Sequence, residues 1–349
     1  MGKDNFLIVG AGLSGITVAF HLIKKGKKVT IVNSGINHSS LVAAGQINPL
    51  VFRRMTKSWR VDDFIPYLNS FYKELEALTN AKFFIPIPIR RIFSSEHEKE
   101  LWLKKQQRVD FKSYMEIIND KDENYDLTIN EFGTGRIKNS SFIDAKSFLE
   151  NTLRWISLNG DLINETFDYN SVNPLVGEYN GRTYDHIIFC EGSMNNNNPW
   201  FNNFPVESTK GEVLTLYSKD FPKHESLNRK CFLLPIGDDK FRLGATYVWE
   251  TDNLRPTKEG RAELLDKLNF LSKEKYECIS HEVGIRPTSP DRRPIVGKHT
   301  EFSKLSIFNG LGTKGYMIAP LLAKEFVDYL TEGAKLDPEV RIERFFNKR

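Results

Sequence analysis

The chain has 349 residues, of which 40% are hydrophobic, 27% charged and 12% aromatic; this excludes a disordered or fibrous protein and allows about two domains with a proper core. Its 49 basic and 45 acidic side chains nearly cancel, so charge gives no case for a nucleic-acid partner. Cys190, Cys231 and Cys278 lie far apart without a CxxC pair, which argues against zinc, any other metal centre of thiolates and a disulfide framework, and for a reducing, cytoplasmic setting.

Residues 6–9 form a short apolar run of the kind found in a strand buried on both faces of a parallel sheet. Gly10, Gly12 and Gly15 follow in G-x-G-x-x-G spacing, then a helical pattern over 13–25 closed by Gly26, then a second apolar strand at 28–32. The run reads as strand, turn and helix, neither an export signal nor a membrane span. Glycine-rich turns are common, but this one opens a unit of about 30 residues between a strand and a helix, the context of a dinucleotide site. There the glycines give a tight turn, close approach to a pyrophosphate and close helix–strand contact, with phosphates at the helix N-terminus beside Leu13 and Ser14. Asn33 stands where an acid would hold a ribose, and no arginine follows to read a 2′-phosphate. With Ser34 and Gly35 it also spells a turn, and both readings stay open.

The run HSSLVAAGQINP, 38–49, is rich in small residues that would let backbone pass close to a flat ligand; an ordinary loop fits it equally. Next, NPLVFRRMTKSWR places Arg53, Arg54, Lys57 and Arg60 around Trp59. This cluster reads either as a selector of acidic substrates at a pocket mouth or as a solvated helix face with Trp59 packed beneath. Helices are predicted at 61–79, 144–158, 257–272 and 316–331, and strands at 82–93, 183–190, 212–218 and 240–248. Residues 195–199, NNNNP, read as a surface loop. The segment HEVGIRPTSPDRRPIVG, 281–297, precedes a buried strand and a second glycine turn at Gly310, Gly312 and Gly315, which feeds an amphipathic helix. Such a turn suits the far end of a long cofactor.

VGAGLSG, SSLVAAGQINP, KFRLGATY, GIRPTSPDRRPIVG and NGLGTKGYMIAP, in that order from residue 6 to about 332, resemble the FAD-dependent D-amino acid oxidase superfamily, nearest its glycine-oxidase and sarcosine-oxidase-like branch. The resemblance implies an α/β protein in which a Rossmann-like FAD domain is interleaved with an α+β substrate domain on a mostly antiparallel sheet. It divides the chain into FAD-binding parts at 1–80, 139–208 and 284–349 and substrate parts at 81–138 and 209–283. It also implies FAD rather than NAD, and hydride removal from a carbon bearing an amine. Ser40, Ala43, Ala44, Gly45 and Gln46 would then line the flavin side, and Gly310, Gly312, Thr313, Lys314 and Gly315 would close over the isoalloxazine and ribityl end. Arg286 matches an arginine that grips a substrate carboxylate, a task its planar fork suits; the competing role is a salt bridge to Asp291. Phe232 stands where the branch has a tyrosine, so a substrate hydroxyl is missing there, and Tyr247 lies too far along to match. No cysteine or histidine matches a covalent flavin link, so FAD is expected to be non-covalent. The expected activity is oxidation of an amino acid or secondary amine, with molecular oxygen or an electron carrier as reoxidant. A flavin-binding protein without turnover and, from the glycine motif alone, a nicotinamide dehydrogenase are the alternatives.

Overall fold

The computed structural model describes residues 4–36, 39–118, 128–249 and 253–348. Its helices are α1 (Leu13–Lys24), α2 (Ser39–Val42), α3 (Val61–Thr79), α4 (Glu96–Gln106), α5 (Ala145–Asn159), α6 (Lys258–Leu268) and α7 (Gly315–Glu332). A six-stranded sheet has the order Asp161–Ile163, Lys28–Val32, Asn5–Val9, His186–Phe189, Leu305–Asn309, Ile295–Lys298. The first five strands are parallel and the last pair is antiparallel. Alternation along Asn5–Val9 decides the layers: Phe6 and Ile8 face the core of α1, α3, α5 and α7, whereas Leu7 and Val9 join Ile187, Phe189 and Ile307 on the opposite face.

The larger sheet is ordered Val248–Trp249, Glu207–Tyr217, Lys240–Gly244, Cys231–Gly237, Ser226–Arg229, Ile89–Ile92, Thr134–Ile137, with Glu277–Thr288 paired along Glu207–Tyr217. All its pairs are antiparallel except Ser226–Arg229 with Ile89–Ile92. One face buries Leu214, Leu216, Leu233 and Leu243 under Leu264 and Leu268 of α6. The strand period of two then puts Gly211, Val213, Phe232, Arg242, Gly244 and Arg286 on the other face. Strands of the two sheets alternate along the chain, as the interleaved fold requires. The expected limits at 208/209 and 283/284 fall inside the strand pair Glu207–Tyr217 and Glu277–Thr288, which runs on unbroken past both.

Two local readings are corrected. The single strand predicted over 82–93 is two: Phe84–Pro86 joins Ser141–Ile143 in a small sheet, and Ile89–Ile92 joins the large one. Pro86 and Pro88 lack the N–H donors that an unbroken ladder needs. Helix α4 was unpredicted because EHEKELWLKKQ has no apolar stripe and buries Trp102 and Gln106 alone. Its signal is a capping box: Ser95 Oγ accepts from Glu98 N at 3.2 Å, and Glu98 Oε2 accepts from Ser94 N at 2.8 Å.

Candidate active site

Two helix N-termini meet over one loop. Gly10 has φ 102°, and a Cβ there would lie 2.7 Å from the carbonyl oxygen of Cys190. A Cβ on Gly15 would lie 1.9 Å from the Gly10 oxygen, so the turn tolerates no side chain at either place. Gly12 caps α1 without a side-chain acceptor, which leaves backbone N–H groups and the positive end of the helix for an anion. Ser40 Oγ takes one of them, accepting from Leu13 N at 3.1 Å. From the second turn, the Tyr316 hydroxyl donates to Ser40 O at 2.8 Å, and a Cβ on Gly315 would meet the Leu13 side chain at 3.0 Å. Gly310 and Gly312 both have positive φ, and a Cβ on Gly312 would stand in open space. Bare, glycine-lined backbone at two helix starts fits a long diphosphate cofactor.

The remaining cofactor candidates divide. Asn33 Oδ1 accepts from Gly35 N at 3.2 Å and Ser34 Oγ accepts from Ile36 N at 3.3 Å, so both side chains hold the turn that NSG spells. Ala43, Ala44 and Gly45 continue from α2; Gly45 has φ 65°, and a Cβ there would meet the Ile143 oxygen at 2.0 Å. Gln46 Nε2 donates to Ser226 Oγ at 2.6 Å, tying the loop to the large sheet. Thr313 is exposed. Lys314 does something the motif did not announce: its amine donates to Asn48 O at 2.7 Å, Leu50 O at 3.3 Å and Ser58 Oγ at 2.6 Å. Burial pulls its pKa down to about 8, so this lysine clamps the 48–58 hairpin from inside.

Arg286 lies on Glu277–Thr288, the strand packed against α2, Gly192–Asn197 and Gly312–Lys314. Its guanidinium lies over Gly211, where a Cβ would come within 2.0 Å of Nη2. It donates to Thr246 O at 3.3 Å and Lys210 O at 3.5 Å, and burial lowers its pKa. The alternative pairing with Asp291 is not formed: Arg344 binds that carboxylate at 2.8 Å. Among the described residues this largely desolvated guanidinium has two long carbonyl contacts and no carboxylate, an arrangement that suits an incoming one.

Phe232 packs with Ala44, Ile85, Ile87, Phe142 and Leu234, over Gly244, where a Cβ would lie 2.6 Å from its ring. It is thus a wall between the flavin-side loop and the large sheet. Beside it opens a cavity of about 560 Å³, lined by Ala43, Ala44, Phe142, Ile236, Arg242 and Glu282 among others. Tyr247, set aside from its sequence position, is the residue that reasoning missed: its ring centroid is 5.5 Å from the Arg286 guanidinium. A turn after Lys240–Gly244 brings it back over the neighbouring strand, and no local pattern reveals that.

The basic cluster comes apart. Arg53 and Arg54 are exposed on the 3₁₀ turn Phe52–Arg54 at a hairpin tip, not on a helix, and neither lines the cavity. Lys57 pairs with Asp62, and Arg60 with Asp63, Glu325 and Asp337. Trp59 sits between Arg60 and Arg293, whose guanidinium carbons are 5.6 and 4.8 Å from its ring, and donates to Glu339.

A family model described as FAD dependent oxidoreductase (DAO) matches residues 5–329. The sequence is 24% identical to an uncharacterized oxidoreductase, YurR, of Bacillus subtilis over 92% of this chain and 93% of that one. It is 22% identical to the glycine oxidase of Bacillus licheniformis, covering 93% and 92%. Among solved structures, iminodiacetate oxidase from Chelativorans sp. BNC1 superposes with a TM-score of 0.81 at 19% identity, over 97% of this chain and 98% of that one.

Proposed function

Because the chain belongs to the FAD dependent oxidoreductase (DAO) family, we propose that it oxidises the C–N bond of an amino acid or related secondary amine. The cofactor is FAD, which removes the nicotinamide alternative; we take it to be held non-covalently. The glycine turns at Gly10–Gly15 and Gly310–Gly315 would hold it, with Ala43, Ala44, Gly45 and Gln46 beside the ring. When bound, FAD supplies a two-electron acceptor: the hydrogen on the substrate's α-carbon leaves as hydride to N5 while C–N becomes C=N. On this reading residues 1–80, 139–208 and 284–349 serve the cofactor and 81–138 and 209–283 the substrate.

The observation that carries the proposal is the half-buried Arg286 guanidinium, which has no carboxylate partner among the described residues. A substrate carboxylate would give it two parallel charge-assisted bonds, fixing the α-carbon relative to the cradle. The apolar wall of Phe232, Phe142, Ile85 and Ile87 disfavours an ammonium, so the amine enters deprotonated and its second proton leaves to solvent as the imine forms. No side-chain base is required. Glycine oxidase and iminodiacetate oxidase, both named for substrates with an amine one carbon from a carboxylate, support this substrate class. Molecular oxygen or an electron carrier would reoxidise the flavin. Purified protein should be yellow, should release FAD on denaturation, and should be bleached anaerobically by at least one amino acid from a panel of primary and N-substituted ones. A yellow protein bleached by none would favour the alternative of a flavin-binding protein without amine turnover.

A further inference from the structure

Trp249, Thr209 and Arg286 form one cross-strand row. Thr209 pairs with Trp249 on one side and with Arg286 on the other, both antiparallel. Residues directly opposite in such pairs project to the same face, so the indole and the guanidinium stand on one side of the sheet, roughly 10 Å apart at their backbones. Between them lie Thr209, fully buried, and Gly211, which has no side chain. The Tyr247 ring fills the gap, over Arg286 at 5.5 Å and edge-on to Trp249 at a centroid distance of 5.2 Å and 77°. Tyr247 is 39% exposed and Trp249 46%. Two rings in edge-on contact beside a half-buried cation, both partly exposed, make an aromatic shelf.

We infer that this shelf is a substrate-specificity site: the enzyme takes amino acids whose nitrogen or α-carbon bears a planar aromatic substituent, with the carboxylate on Arg286 and the ring on Tyr247 and Trp249. The inference rests on the reading of Arg286 as a carboxylate site. Charge and chemistry agree with it, since the guanidinium has no anionic partner among the described residues and the adjoining exposed surface is aromatic. A substrate without a large substituent leaves the shelf in water and forgoes its contribution.

The test compares anaerobic flavin reduction by N-benzylglycine and N-methylglycine in wild type, Trp249→Ala and Trp249→Phe. Wild type should prefer the benzyl compound by about tenfold or more in kcat/KM. Trp249→Ala should lose about tenfold more with the benzyl than with the methyl substrate, and Trp249→Phe should recover most of the difference. Calorimetric titration of the holoenzyme with benzoate and acetate gives a second readout that needs no turnover: benzoate should bind more tightly, and Trp249→Ala should erase the gap. Equal rates with the two amines, or equal losses in Trp249→Ala, overturn the inference. If neither amine nor any other amino acid reduces the flavin, the oxidase reading fails, and the calorimetry alone decides: a Trp249-dependent preference for benzoate supports the shelf, and equal binding of the two acids refutes it.

Discussion

Replacing Arg286 by alanine removes a side chain whose surroundings allow the effect to be sized. Burial has stripped the guanidinium of much of its water, and among the described residues its acceptors are two backbone carbonyls at 3.3 and 3.5 Å. A carboxylate at normal distance would therefore be its first strong partner. Charge-assisted bonds contribute about 1.5–3 kcal/mol each, and breaking a buried pair by truncating one member costs about 2–5 kcal/mol. Taking about 4 kcal/mol, kcat/KM for an amino acid should fall on the order of a thousandfold. Arg286→Lys should recover part, since an ammonium offers charge without the fork. Stability should move little or rise, because burial already opposes the charge, as the lowered pKa indicates. FAD content should stay the same. The assay is anaerobic stopped-flow reduction at limiting amino acid, with released FAD and thermal midpoint measured on the same preparations. If an amino acid reduces wild type and the alanine variant equally fast, Arg286 is structural and the substrate needs no carboxylate. A loss of FAD from the variant would refute the placement by another route.

Lys314 holds its proton less tightly when folded, at about 8, than unfolded, near 10.4. The unfolded chain therefore binds more protons between those values, and stability should rise with pH across that window, by up to about 3 kcal/mol. Lys314→Met should flatten that rise in denaturant titrations at pH 7.5–10.5, and an unchanged slope would mean that the amine is solvated. Asn33→Asp keeps an acceptor for Gly35 N and should leave FAD affinity equal or tighter, while Asn33→Leu should weaken it; identical dissociation constants for all three proteins would confine Asn33 to its turn. At an exposed hairpin tip outside the cavity, Arg53→Gln with Arg54→Gln should change kcat/KM alike for dicarboxylic and neutral amino acids. A rise in KM restricted to dicarboxylic ones would bring that hairpin into the substrate path.

Legibility followed the range of the interactions involved. The first glycine turn was readable because much of what fixes it is local: Gly15 is held bare by the Gly10 oxygen within six residues, and α1, α3, α5 and α7 have stripes set by their own period. Ion-pair choices were opaque. Arg286 and Asp291 are five residues apart, which made a bridge attractive, yet the strand carries Arg286 over Gly211 while Arg344, 53 residues beyond Asp291, takes the carboxylate. The partners within the basic cluster were opaque for the same reason, since Glu325, Asp337 and Glu339 reach Arg60 and Trp59 from the far end of the chain. Lys314 was read toward the flavin from its motif, and nothing local announced that its amine lies among three oxygens of the 48–58 hairpin.

Tyr247 shows where the boundary lies. Scored against a motif it was a tyrosine in the wrong place, because a motif compares positions along one strand. The site instead draws on rows that cross strands, and Arg286, Thr209 and Trp249 occupy one such row although 37 to 77 residues separate them pairwise. Phe232, which lacks a hydroxyl, therefore says little about whether the substrate meets one: the Tyr247 ring, just ahead of the strand Val248–Trp249, stands beside the guanidinium. Phe232 on one strand and Tyr247 beside Arg286 come into view together only in the sheet. That is why the carboxylate grip could be expected from GIRP, whereas the character of the group beyond it had to be read from the fold.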